Sequence, residues 1–122
     1  MKPELKKRWT DALRSGDYEQ GSHALHKDNS FCCLGVACEV FKEDLKLEVT
    51  YEVQESGTIR YFYDGKSTFL PPKVVDLLEI RDAGELKWPI RSPRGTSDRF
   101  LSVLNDHGLT FIEIADIIDE QF

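Results

Sequence analysis

NSFCCLGVACEVF, Asn29–Phe41, is the stretch that decides how the rest of the chain is arranged. Leu34, Val36, Ala37, Val40 and Phe41 are apolar, and only Glu39 and the following Lys42 break the pattern. A helix apolar around most of its circumference is covered on most sides. Gly35 lies inside it, where glycine costs roughly 1 kcal/mol relative to alanine. That cost makes sense where another backbone packs close. With small residues at 33, 35, 37 and 38, the stretch predicts a crowded central helix.

The three cysteines of this stretch, Cys32, Cys33 and Cys38, admit several readings. Cys33 stands where the helix should begin, and a helix N-terminus lowers a thiol's pKa toward the nucleophilic thiolate. His23, His26 and His107 are candidate bases, but none lies at a spacing that forces contact. Cysteine is also among the most buried residue types. Core packing is the reading adopted, no catalytic residue is assigned, and a cysteine-dependent hydrolase using Cys33 is the weaker alternative. His23 and His26 with Cys32 and Cys33 offer four metal ligands on paper. Adjacent strand cysteines point to opposite faces, and the spacing fits no common structural zinc pattern, so no metal is expected. An odd cysteine count with two adjacent also argues against a disulfide framework.

Outward from the central helix, Pro3 suits a first helical turn. Leu5, Trp9, Ala12 and Leu13 share one face, and Gly16 stops the helix near residue 15. Residues 22–33 read as a short hairpin turning at Lys27-Asp28-Asn29. Leu47, Val49, Tyr51 and Val53 alternate with polar residues, and after Glu55-Ser56-Gly57 so do Ile59, Tyr61 and Tyr63. This predicts an antiparallel hairpin with one face buried, to which Thr68–Leu70 adds a short third strand. Pro71-Pro72 opens a helix through about Leu78, and residues 79–96 read as irregular. A helix is expected from about Ser97 to Gly108. Thr110 and Glu113 form a capping-box pattern for the last one. The fold class is α+β: a single domain with a small antiparallel sheet packed by about five helices.

The chain has 122 residues, 40% hydrophobic and 31% charged, the composition of a globular domain. No apolar run approaches a membrane span, and MKPELKKRW lacks the apolar middle of a secretory signal. The cytoplasm is the expected compartment, with no membrane partner. The net charge of −6 argues against binding a nucleic-acid polymer. The charge is uneven, however. Residues 1–16 carry five basic and two acidic side chains, residues 87–99 four basic and one acidic, and residues 100–122 five acidic and none basic. The two basic segments leave room for a local anion site.

In KWPIRSPRGTSDRF, Lys87, Arg91, Arg94 and Arg99 cluster, and Trp88 offers a stacking face. Gly95, Thr96 and Ser97 precede the expected helix, whose free N–H groups suit an anion. The blander reading is a solvated surface loop. The glycine-rich phosphate-loop pattern is absent, and no cofactor is expected. GLTFIEIADII is similar to the second helix of a helix-turn-helix, but no recognition helix follows it in this sequence and the segment is acidic.

Several pieces together resemble a family of small uncharacterised phage and prophage proteins. They are RW..ALRSG.Y.Q at Arg8–Gln20, FCCLGV.C at Phe31–Cys38, LPP.V..LL at Leu70–Leu78, and LND.G.TF.EIAD.I from Leu104. The resemblance implies a phage accessory protein in the bacterial cytoplasm and carries no established reaction. Its recurring polar positions, Trp9, Arg14, Tyr18, Gln20, Asn105 and Asp106, either cap and pair helix ends or line a pocket between the first helix and the C-terminal pair. Two functions follow as expectations. In one, the protein binds a small anionic ligand, such as a nucleotide signal of a host defence pathway, through Arg8, Trp9, Arg14, Tyr18, Gln20, Trp88, Arg91, Arg94, Arg99 and Asn105. In the other, it inhibits a host protein through its acidic C-terminal helix. Either leaves room for a homo-oligomer.

Overall fold

A computed structural model describes residues 1–122. Five helices surround one hydrophobic core: α1 (Pro3–Arg14), α2 (Cys33–Leu45), α3 (Pro72–Leu78), α4 (Leu101–Asp106) and α5 (Phe111–Gln121). The class is α+β. A five-stranded sheet contains β1 (Glu19–Gln20), β2 (His26–Lys27), β3 (Ser30–Phe31), β4 (Val49–Val53) and β5 (Ile59–Tyr63) in the order β1-β3-β2-β5-β4. A separate two-stranded ribbon pairs β6 (Glu85–Arg91) with β7 (Ser97–Phe100). No helix is long and apolar enough to cross a membrane.

The helix α2 is the centre of the molecule, as its sequence predicts. Seven of its residues are buried: Cys33, Leu34, Gly35, Val36, Ala37, Cys38 and Phe41. Gly35 answers to a neighbouring backbone. A Cβ built on it would lie 1.6 Å from the carbonyl oxygen of Leu25. Any side chain there would push α2 off the strand leading into β2. The same Leu25 oxygen accepts the Cys32 N–H at 3.2 Å, so close approach and hydrogen bonding coincide. On the other side Trp9 of α1, fully buried, donates its indole N–H to the Cys33 carbonyl at 3.0 Å. The capping box of α5 is present, with Thr110 and Glu113 satisfying each other's backbone N–H groups.

Four expectations are corrected. The sheet is mixed, not wholly antiparallel: β1 runs parallel to β3, pairing Glu19 with Ser30 and Gln20 with Phe31. The chain reaches this arrangement by placing the β2–β3 hairpin between the two pairings, so that β3 returns in the direction of β1. Thr68–Leu70 forms no strand, because its neighbourhood bonds elsewhere. The Ser67 carbonyl accepts from Leu25, and the Leu70 N–H donates to Asp82. Residues 85–100 are neither irregular nor the start of a helix at Ser97; they form the β6–β7 ribbon, and α4 begins only at Leu101. Finally, the predicted buried face of the hairpin is buried at Leu47, just before β4, and at Tyr63, and half-buried at Ile59 and Tyr61, whereas Val49, Tyr51 and Val53 of β4 are all exposed.

Candidate functional site, the basic hairpin

The turn of the β6–β7 ribbon is Ser92-Pro93-Arg94-Gly95. The Gly95 N–H donates to the Ser92 carbonyl at 2.8 Å and the Ser92 N–H to the Thr96 carbonyl at 2.8 Å. Serine first, proline second and glycine fourth suit a type I turn. That signature, flanked by alternating residues, is the signal that could have identified the hairpin. Proline in a strand ordinarily marks an edge or a bulge, having no N–H for the ladder. Pro89 fits this rule, since the register shifts between Glu85 and Ile90.

The hairpin is held to the body by one buried side chain that sequence reasoning missed. Gln121, 2% exposed at the end of α5, accepts the Lys87 N–H at 2.7 Å and the Trp88 N–H at 3.2 Å through Oε1. Its Nε2 donates back to the Trp88 carbonyl at 3.1 Å. The amide thus acts as a one-residue strand on the outer edge of β6. The Arg99 guanidinium donates across the ribbon to the Lys87 carbonyl.

So positioned, Lys87, Arg91, Arg94 and Arg99 are exposed, Trp88 is 42% exposed, and none of the four cations enters an ion pair. The first basic segment is different. Arg8 makes a two-pronged contact with Asp44 at 2.8 and 3.2 Å, lies over the Phe41 ring, and holds the Asp44 carboxyl below its usual range. Arg14 donates to Asp116 at 2.8 Å and Asp119 at 2.7 Å of α5. The complementary charges of residues 1–16 and 100–122 are the signal for this pairing. α5 meets α1 through Asp116 and Asp119 and meets β6 through Gln121, so it stands between the two basic segments. The structure does not bring Arg8 and Arg14 together with Arg91, Arg94, Arg99 and Trp88.

The remaining expected residues form a different cluster, an internal clamp. Asn105 accepts the Cys33 N–H at 3.1 Å and the Gln20 amide at 2.9 Å, and donates to the Gly21 carbonyl at 2.8 Å. Gln20 also bonds the Leu109 carbonyl and the Phe111 N–H. Every one of these contacts ties one segment to another, and Trp9 supports the same point from α1. Tyr18 is half-buried, edge-on to Phe31 at 5.2 Å.

The chain matches the model of the family described as Domain of unknown function (DUF8296) over residues 1–122. It belongs to that family. No curated protein and no solved structure matches it.

Three clefts cut the surface, and neither Trp88 nor any of the hairpin cations lines one. The cleft of about 220 Å³ holds His23 and Asp106, which face each other at 3.2 Å, beside Phe69 and Val103. The one of about 340 Å³ holds Gln20, Asn105 and Asp106, so its only ionised group is acidic. The broadest, about 470 Å³, sets Lys66 and Arg81 against Asp76 and Asp82. Of the cysteines, Cys32 lines the cleft of about 220 Å³ together with His23. Cys33 is fully buried, its thiol directed at the Leu101 carbonyl, and burial pushes it well up despite the helix N-terminus. Cys32 is pushed up to about 11 by the same cause. Buried in this way, the Cys33 thiol is closed off from solvent and bonds no histidine. Nor do three histidine, cysteine or carboxylate side chains gather as metal ligands.

Proposed function

We propose that the protein acts by binding, and that the β6–β7 hairpin is the contact for the acidic surface of a protein partner. One observation carries the reading: four exposed cations beside an exposed tryptophan lack carboxylate partners, on a ribbon held rigidly by Gln121. Arginine and tryptophan are the residue types that dominate protein interfaces. Small-ligand sites are concave, and here the cations stand on an open ribbon. That shape favours a protein surface over an enclosed nucleotide. The resemblance to phage proteins makes a bacterial host factor the partner, and the protein its inhibitor. The contact then lies on the basic hairpin, whereas the acidic C-terminal helix already uses Asp116 and Asp119 to hold Arg14.

A second reading keeps the small anionic ligand, a nucleotide signal of a host defence pathway. It is favoured by Trp88 standing beside arginines, since a base stacks on the indole while a guanidinium grips phosphate in two-pronged fashion. Calorimetry separates the two. A polyglutamate peptide stands in for the acidic surface, and a panel of mono-, di- and cyclic nucleotides for the small ligand. The first reading expects peptide binding that weakens with salt and falls about tenfold or more in Arg94→Ala. Nucleotide binding lost in Arg91→Ala or Arg94→Ala moves the conclusion to the second reading. Binding of neither probe, or binding indifferent to both Arg91→Ala and Arg94→Ala, overturns the hairpin site.

A further inference from the structure

The alternation of β4 belongs to a half-buried strand, yet Val49, Tyr51 and Val53 are 42%, 65% and 64% exposed. Their cross-strand neighbours on the same face are Tyr63, Tyr61 and Ile59. Beyond Tyr61 the face continues as an aromatic row. His26 stacks on Tyr61 at 3.8 Å and on Phe31 at 3.9 Å, and Tyr18 meets Phe31 edge-on. Tyr51, 6.1 Å from Tyr61, is the outer end of this row.

β4 is also the open edge of its sheet. The Gln54 N–H donates to Thr58 and the Asp64 N–H to Glu48, which makes the even-numbered residues of β4 those bonded to β5. The N–H and C=O groups of Val49, Tyr51 and Val53 therefore point away from the sheet, unpaired. Edge strands are ordinarily protected by lysine, proline or a bulge. VTYEV contains neither residue type, and its pairing with β5 is unbroken over five residues.

From this we infer that β4 pairs with β4 of a second copy of the chain, antiparallel, across a two-fold axis at Tyr51. The sequence is self-complementary in that register. The outward residues read Val-x-Tyr-x-Val in both directions, so Val49 meets Val53 of the second copy and Tyr51 meets its own equivalent. On the other face Glu52 meets Thr50, and Glu48 meets Gln54, so no carboxylate opposes another across the pair. Glu52 already has Arg60 opposite it on β5. The residues whose backbone groups point outward are the ones that would become hydrogen-bonded pairs. The two sheets would join into one, with the aromatic row continuous through both Tyr51 rings. The hairpin β6–β7 belongs to the other sheet and is independent of this contact.

Sedimentation velocity over a micromolar concentration series tests the pairing, together with cysteine cross-linking. The wild type is expected to reach twice the chain mass. Tyr51→Lys, which sets two ammonium groups face to face at the axis, is expected to weaken the dimer about tenfold or more. Tyr51 is exposed, so the variant's circular dichroism should match the wild type's. The register is read independently by disulfides under mild oxidation, the native cysteines being buried. In Tyr51→Cys the equivalent Cα atoms stand about 5.5 Å apart, within disulfide reach, and the variant should cross-link. Val53→Cys alone should not, since its equivalents are offset by four residues, about 14 Å along the strand. An equal mixture of Val49→Cys and Val53→Cys should. A wild type that stays monomeric throughout, a dimer that Tyr51→Lys leaves intact, or cross-linking of Val53→Cys at the rate of Tyr51→Cys would each overturn the inference.

Discussion

Asn105 accepts the backbone N–H of Cys33 at 3.1 Å, across 72 positions of sequence. The contact caps α2 from outside. Cys32, at the N-cap position, offers no side-chain bond to the helix, so a side chain from α4 supplies the acceptor. With its amide on the Gly21 carbonyl, Asn105 joins the start of the central helix to the β1 segment and to α4. Asn105→Ala leaves a buried N–H and a carbonyl without partners, each costing about 1–3 kcal/mol. A loss of roughly 2–4 kcal/mol is expected in urea unfolding. Asn105→Asp, which keeps the acceptor, should cost less.

Gly35→Ala tests the approach of Leu25 to α2. In an exposed helix the substitution would be worth about 1 kcal/mol in stability. Here the new methyl would fall 1.6 Å from a backbone oxygen, and backbone cannot swing aside. Destabilisation of about 3 kcal/mol or more is expected, read as a lower urea midpoint.

The thiols give a pH signature. Burial raises all three in the folded chain, Cys32 to about 11, whereas an unfolded thiol ionises near about 8.5. A raised pKa means that the folded state holds the proton longer. The contribution is full below the unfolded value and is lost as pH rises toward the folded one. Stability should therefore fall between roughly pH 8.5 and 11, and less steeply in Cys32→Ser if that variant folds. Thiol reagents should modify the native chain slowly and the denatured chain fast.

Gln121→Leu keeps the volume and removes the amide. The Lys87 and Trp88 N–H groups then lose their shared acceptor. Amide exchange should accelerate at these two positions and in the hairpin, while the amides of α2 stay protected.

Much of this architecture was legible in the residues, for stated reasons. Pro3 and Pro72 stand at first helical positions, the Thr110–Glu113 box caps α5, and Gly35 signals a neighbouring backbone. The β6–β7 ribbon was not, because Pro89, Pro93 and Gly95 read as loop punctuation until the turn and the Gln121 clamp explain them. Periodicity correctly marked β4 as two-faced but carries no information on what covers a face. For the candidate site, the sequence displays the cluster of Lys87, Arg91, Arg94 and Arg99 beside Trp88. It could not reveal that Arg8 and Arg14 are engaged by Asp44, Asp116 and Asp119, since those partners lie 36 to 105 positions away.

The central claim is that the hairpin, not the acidic helix, meets the partner. Site-specific photo-cross-linking in bacterial cells reads this most directly, with a photoreactive residue placed at Trp88 or, for comparison, at exposed Ile112 on α5. The account predicts a protein adduct from position 88 that disappears when Arg91→Glu and Arg94→Glu are added, and none from position 112. An adduct from position 112 alone, or one from position 88 that survives the charge reversal, would contradict it.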